Sequence, residues 1–416
     1  MNHIKQVVML HYTIPPVVGG VEFMIEPLSE LFVKNGWHVS LITGMGNINK
    51  PNIKTTLIPE LFPGNPTIAR IQENLKIGSY PENYEIEVTK FEKKLMTQIG
   101  NIKNIIIHNI MTMSFNLVAT HALYNYIENN PDKNFYVWIH DMAWLMDDYQ
   151  KHLFENKPWS LLKTANLNVQ YITISRFRKR QVETLFKINS NKIKIVPNGI
   201  EINDFLQLKE PTRRLLSKIP IQNFINMILV PARILPRKNL LRTLDILNEL
   251  IKIDPTITAV FPGHPDQSNS LSMEYYEIIK NHIKKLGISK NNLVFFSDDV
   301  ADLQLTDKEN REIVHDSYNL CRGVMLLSSD EGFGIPLLEA GIAQKPLILS
   351  DIEVFHEIAG KNAIFISEVE PVSVAAKDIY NKIFKFSSST SAMFENVIKN
   401  YSWDAIWKNF LSKIFD

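Results

Sequence analysis

The stretch "QVVMLHYTIPPVVGGVEFMIEPLSELFVKNGWHVSLIT", Gln6 to Thr43, reads in turn as strand, loop, helix and strand. "QVVML" is a short β-rich run, and "VEFMIEPLSELFVKNG" is amphipathic at helical spacing, with Gly36 placed as its C-cap. "HVSLIT" then resumes the β pattern. The same alternation returns with "IKNIIIHNI", "FYVWIH", "VQYITIS" and "KIKIVPN" as strands and helices between them. Alternation of this kind predicts an α/β domain, a parallel sheet covered on both faces. After "VPNGIEINDF" the chain enters a polar connection, "LKEPTRRLLSKIPIQN", and a second series opens at "NMILVPARIL". It continues through "TAVFPG", "NLVFF", "GVMLLSS" and "PLILSD" as strands. Two doubly wound domains joined near residues 200–220 are expected. The closing segment, "YSWDAIWKNFLSKIFD", has the spacing of an amphipathic helix.

A chain of 416 residues accommodates two or three domains. Apolar residues at 45% and charged residues at 21% are an ordinary globular composition. Forty-five Lys and Arg against forty-four Asp and Glu leave +1, so no global field draws nucleic acid or an anionic bilayer. The single cysteine, Cys321, excludes an internal disulfide framework and a multi-cysteine metal site, which favours a reducing compartment. The apolar run before His11 is too short for a signal-peptide core, and no stretch approaches 18 uninterrupted apolar residues. The expectation is a cytoplasmic protein, with peripheral contact at the inner membrane surface left open.

Open α/β sheets bind ligands beyond the carboxyl ends of their strands, so the loops there carry the chemistry. The first such loop holds Pro15, Pro16, Gly19 and Gly20 before a helix; its glycines suit close backbone approach to a ligand, or simply a turn. "VWIHDMAW" ends a strand at His140 and Asp141, where the histidine is either catalytic or a structural hydrogen-bonding residue. In "VPARILPRKN", Arg233 and Lys238 are separated by four residues, a pair suited to a diphosphate or to a solvated loop. "LSSDEGFGIPLLEAG", Leu327 to Gly341, puts Glu331 on a loop with Gly332, Phe333 and Gly334. Ile335 and Pro336 then open a helix that carries Glu339 early, near its positive end. An acid there is often only a cap, but a Gly-Phe-Gly loop beside a second acid is costly unless something binds it.

Taken together, these stretches carry a resemblance. "DEGFGIPLLEAGIAQKPLILSDIEVFHEIAG" resembles the donor-site signature of retaining GT-B glycosyltransferases of family 4, glycosyl transferases group 1: a Glu, seven residues, a second Glu. "ARILPRKN", "IPPVVGGVE", "IHD", "IVPNGIEINDF" and "YSWDAIWKNFL" resemble that family's other stretches, in family order and across nearly the whole chain. The resemblance implies a GT-B fold, two Rossmann-like domains facing across a cleft: residues 1–205 binding the acceptor, residues 206–400 binding a nucleotide sugar, and residues 401–416 as a helix crossing back to the first domain. It implies that Glu339 binds the ribose hydroxyls and Glu331 the transferred hexose, with backbone around Gly332, Phe333, Gly334 and Ile335 facing sugar and phosphates. Arg233 and Lys238 would hold the diphosphate, joined by backbone from Gly19 and Gly20, and His140 would sit by the reacting sugar.

The activity so implied is retaining transfer of a hexose from a UDP- or GDP-sugar to a hydroxyl of a sugar, glycan or lipid-linked acceptor. No cofactor and no metal are expected, since fixed cations can stabilise a departing diphosphate and the chain contains no Asp-x-Asp triplet. A nucleotide-sugar epimerase of the same fold and a silent nucleotide-sugar-binding protein are the alternatives. Two stretches depart from the family pattern: Cys321 and Arg322 replace an Ala-Asp pair, and "PGHPDQSNS" keeps Gly263 but inserts His264 and Pro265 where the base is commonly bordered. "SRFRKRQVETLFK", Ser175 to Lys187, interleaves Arg176, Arg178, Lys179 and Arg180 with Phe177, a pattern that suits anionic headgroups or a solvated helix start.

Overall fold

The computed structural model describes residues 5–219, 224, 226–265, 269–299, 303, 305–385 and 389–415. The chain divides into two units, Met1–Glu201 with Tyr401–Asp416, and Ile202–Asn400.

The first unit is a seven-stranded parallel sheet of β1 (Lys5–Thr13), β2 (Trp37–Met45), β3 (Ile53–Leu57), β4 (Asn104–His108), β5 (Asn134–Ile139), β6 (Val169–Thr173) and β7 (Ile193–Ile195). Their order is β3-β2-β1-β4-β5-β6-β7. Along β1, Val8, Leu10 and Tyr12 enter the core on one face while Val7 and Met9 enter the core on the other. Period-two alternation into two cores is what a continuous apolar run buys in a parallel strand. The second of those cores includes residues of the helix Glu22–Lys34 and of the C-terminal helical segment from Trp403 to Phe415. Trp403, Ile406, Trp407 and Leu411 bury there with Phe32 and Trp37, and Phe32 meets Trp407 edge to face at 5.3 Å.

The second unit is a six-stranded parallel sheet of β8 (Asn226–Leu229), β9 (Ile257–Phe261), β10 (Leu293–Phe295), β11 (Gly323–Leu326), β12 (Leu347–Ser350) and β13 (Ile364–Ile366). Their order is β10-β9-β8-β11-β12-β13 around one continuous core. Both sheets follow the Rossmann pattern, in which strand order reverses once. The reversal falls between β1 and β4 in the first unit and between β8 and β11 in the second.

Two strands escape the sequence reading, β3 and β13. The polar connection also differs from expectation, because residues Glu210–Leu216 form a helix with Pro211 in its first turn. Asp316 fastens it, accepting hydrogen bonds from Lys209 N and Thr212 Oγ1, while Leu208 and Leu215 bury in the core of the second unit. The end of that connection, residues 220–223, lies outside the described residues, as do Asp266, Gln267 and Ser268 of the loop after β9.

Candidate active site

At the reversal point of the second sheet, the loops after β8 and β11 meet. After β8 the chain turns through Pro236–Lys238, and Asn239, at φ +51°, sets the start of the helix Leu240–Ile253. That turn buries Lys238, whose Nζ forms an ion pair with Glu331 Oε1. Arg237 reaches Glu331 Oε2 at 3.3 Å and donates to the Asp330 carbonyl at 3.1 Å. Ser328 Oγ donates to Glu331 at 3.2 Å, and Ser329 N donates to the Arg237 carbonyl at 2.8 Å, which ties the two loops together. Burial pushes the Glu331 carboxyl up, but the Lys238 and Arg237 cations outweigh it and hold the group below the usual carboxylate range. Arg233 is exposed on the same loop. Gly263, after β9, lies so close to this loop that a Cβ there would stand 2.1 Å from the Ala232 carbonyl oxygen. His264 beside it is exposed.

After Glu331 the backbone rises outward. Phe333 is 54% and Ile335 is 62% exposed, and a Cβ on Gly332 would meet nothing within 4 Å. Gly334, at φ +95°, caps the helix Ile335–Ile342, with Pro336 in its first turn. Glu339 is not in that first turn, so the expected placement at the helix's positive end is corrected. Its Oε2 instead accepts a 2.6 Å hydrogen bond from the Tyr318 hydroxyl. Burial and then Glu339 push the Tyr318 phenol above its ordinary range, so it stays a donor.

The first sheet carries a different cluster around its own reversal point. His11 lies on β1, His108 ends β4 and His140 follows β5. All three are buried, and burial lowers each imidazole below its usual range, His140 to about 3. His140 Nε2 stands 3.3 Å from His108 Nδ1, and His11 Nδ1 donates to the Thr13 carbonyl at 2.7 Å. Asn109, at φ +58°, accepts from His140 N at 2.8 Å and Asp141 N at 3.1 Å, so it pins the loop that sequence singled out. Thr112 donates to the Asp141 carbonyl at 2.7 Å and Arg178 to its carboxylate at 2.9 Å. In the glycine loop, Glu22 pairs with Thr13 Oγ1, and a Cβ on Gly19 would stand 2.1 Å from the Glu22 carboxylate; beside Gly20 a Cβ would meet nothing.

The basic segment becomes the helix Arg176–Phe186, capped by Ser175, and its cations separate as helical geometry requires. Arg178 turns to Asp141 and Lys179 to the Ile193 carbonyl, whereas Arg176, Phe177 and Arg180 are exposed. Phe177 and Arg180 border a cavity of about 820 Å³ together with Leu145 and Lys187. A smaller hollow of about 310 Å³ is lined by Phe115, Tyr149, Trp159, Gln72 and His152. Among the described residues, no three of His, Cys, Asp and Glu group so as to hold a metal ion, and no helix is long and apolar enough to cross a membrane. Sequence reasoning missed Arg237, Tyr318 and His108. Arg237 sat in plain view inside "LPRKN", while the other two gave no local signal.

Residues 214–396 match the family described as glycosyl transferases group 1. The chain is 25% identical over 251 residues to the O-antigen chain mannosyltransferase RfbU of Salmonella typhimurium, an alignment covering 59% of each chain. It is 23% identical over 407 residues to the mannosylglucosylglycerate synthase of Thermotoga maritima, covering 91% of this chain and 86% of that one. The crystal structure of a glycosyltransferase from Rickettsia africae ESF-5 aligns with a TM-score of 0.35 and 15% identity over 99% of this chain and 98% of that one.

Proposed function

We propose that the chain is a glycosyltransferase that moves a hexose, with retention of anomeric configuration and without a metal ion, from a UDP- or GDP-sugar to a hydroxyl of a sugar, glycan or lipid-linked acceptor. The observation that carries the reading is the closure of Lys238 and Arg237 on Glu331 at the reversal point of the second sheet. A diphosphate there replaces the carboxylate as partner of the two cations, with Arg233 as a third. Glu331 is thereby released to accept hydrogen bonds from the hexose hydroxyls. Glu339, oriented by Tyr318, accepts from the ribose hydroxyls. Cationic groups already fixed at the leaving diphosphate stabilise the charge that grows as the anomeric bond breaks. The acceptor hydroxyl attacks from the face the diphosphate leaves, and a phosphate oxygen takes its proton.

Mannose is the hexose proposed, because one relative described above is a mannosyltransferase by name and the other a synthase named for a mannosyl product. The acceptor is assigned to loops of the first unit, where Phe115, Tyr149 and Trp159 line a hollow that suits the apolar face of a sugar ring. Peripheral contact with anionic lipid through Arg176, Phe177 and Arg180 belongs to the same proposal. Vesicle sedimentation unchanged in an Arg176→Gln, Arg180→Gln protein would dispose of that part. The reaction itself is tested by incubating the protein with radiolabelled GDP-mannose and UDP-sugars and oligosaccharide acceptors, then reading the product's anomeric configuration by NMR. Retained product whose formation survives chelator and collapses in Lys238→Ala is expected. Inverted product, or full activity after Arg233→Ala and Lys238→Ala, would overturn the reading.

A further inference from the structure

The helix Arg176–Phe186 sends Val182 and Phe186 into the core of the first unit and turns Arg178 and Lys179 to partners of their own. A third face is left over. Phe177, Arg180, Thr184 and Lys187 recur at i, i+3, i+7 and i+10, which places them along one side of the helix and its C-cap. All four line the cavity of about 820 Å³, within the range of about 300–1,000 Å³ that takes a small molecule. The facing wall is Leu145, from the turn Ala143–Leu145, with Lys163 and Ala165 at the end of the turn Trp159–Lys163.

The lining is cationic and unneutralised: Lys163, Arg180 and Lys187 border the cavity, and no Asp or Glu does. Lys163 is engaged already, its Nζ 3.7 Å over the Trp144 ring and 2.7 Å from Glu155. Arg180 and Lys187 have no ion-pair partner among the described residues. The rim, by contrast, is apolar and faces water. Phe177 is 60% exposed, Leu145 38% and Leu167, two residues beyond Ala165, 72%. Exposed apolar groups gathered around unpaired cations mark a surface that a bare anion or an apolar chain alone would only half complement. We propose that this cavity binds a lipid phosphate: the cations take the phosphate of a monoester or diphosphate, and Phe177, Leu145 and Leu185 take the first carbons of its apolar chain. Arg176, on the same helix, does not border the cavity, so the proposal is for one molecule held in a pocket and not for a charged face resting on headgroups. The site lies wholly in the first unit and needs no sugar donor. Only the step from this site to the acceptor rests on the proposed function, where it narrows the acceptor class to a lipid-linked one.

The test titrates the full chain with dodecyl phosphate below its critical micelle concentration, read by calorimetry. Saturable binding of one molecule per chain is expected, about tenfold or more tighter than inorganic phosphate or dodecyl maltoside, which offer the charge and the chain separately. Arg180→Gln combined with Lys187→Gln should weaken it about tenfold. Thr184→Trp, which fills the cavity without altering its charge, should abolish it while the melting temperature stays at the wild-type value. Arg176→Gln should leave it unchanged. Inorganic phosphate bound as tightly as the lipid would overturn the inference in favour of a plain anion site, and equally tight dodecyl maltoside in favour of an uncharged apolar groove. Equal weakening by Arg176→Gln would reduce the site to surface adsorption, and the absence of any binding would overturn it too. Arg180 and Lys187 are exposed, so if Thr184→Trp proves unfolded, their glutamine variants and the three probes decide. A chain that binds dodecyl phosphate but transfers no sugar counts against the proposed function alone. A chain that transfers sugar without binding dodecyl phosphate counts against this inference alone.

Discussion

Glu331 pairs with the same cations that the proposed donor requires. Removing it therefore has opposite effects on two steps. Glu331→Ala frees Lys238 and Arg237, so nucleoside diphosphate should bind no more weakly than to the wild type, while turnover falls about a hundredfold for lack of a partner to the hexose hydroxyls. Lys238→Ala leaves a half-buried carboxylate short of its main partner and takes a fixed cation from the leaving group, so both donor affinity and turnover should drop. Glu339→Ala should chiefly raise the donor KM, by about tenfold, since a hydrogen bond to a charged group is worth about 1.5–3 kcal/mol. Tyr318→Phe should raise it less, because the carboxylate remains but loses its guide. The buried imidazoles make a prediction of their own. Burial sets His11, His108 and His140 below the ordinary 6.5, His140 to about 3. Above pH 6.5 neither the folded nor the unfolded rings are charged, and these groups contribute no slope. As pH falls below 6.5, the unfolded chain takes up protons that the folded rings refuse, so stability declines by up to about 1.4 kcal/mol per pH unit for each ring until that ring protonates in the folded chain, which for His140 is at about 3. Urea unfolding of the wild type should therefore show a lower midpoint at pH 5.5 than at pH 7.5, and His140→Phe should flatten that dependence.

At the scale of elements, the C-terminal segment is a structural part of the first unit. Trp407 is buried against Phe32, so Trp407→Ala should destabilise that unit by about 3–5 kcal/mol, read as a lower urea midpoint of the Trp-fluorescence transition. Gly263→Ala would drive a methyl into the Ala232 carbonyl and displace the loop after β9 from the Arg233 loop, with weaker donor binding expected at nearly unchanged stability of the first unit. The strands visible in the sequence were those with long, unbroken apolar runs, such as "VVML" and "NIIIH", which bury on two faces. β3, "IKTTL", is a half-exposed edge strand, and β13, "IFI", is a short edge strand that buries only Ile366. The loop and helix around Glu331 and Glu339 were legible because Gly334 and Pro336 punctuate them. The partners of those acids were legible only in part. Lys238 stood out by its own loop, but Tyr318 is 21 residues from Glu339, and His108 is 32 from His140. Such pairs are made by strand register and helix packing, which no local pattern encodes.

At the scale of the whole molecule, near-zero net charge hides two local concentrations of opposite character. The reversal point of the first sheet holds neutral imidazoles, while that of the second holds two cations and a carboxylate. The division matches a reaction whose donor is a dianionic diphosphate and whose acceptor is a hydroxyl. On the function proposed above, the second unit binds a nucleotide sugar through Lys238, Arg237 and Glu331. A thermal-shift panel of GDP-mannose and UDP- and ADP-sugars, run on the wild type and on Lys238→Ala, tests it most directly. At about 100 times its dissociation constant the right donor should add about 2.7 kcal/mol to the wild type, and the shift should collapse in Lys238→Ala at the same concentration. A flat response of the wild type to every donor, or an equal shift in Lys238→Ala, would contradict the account.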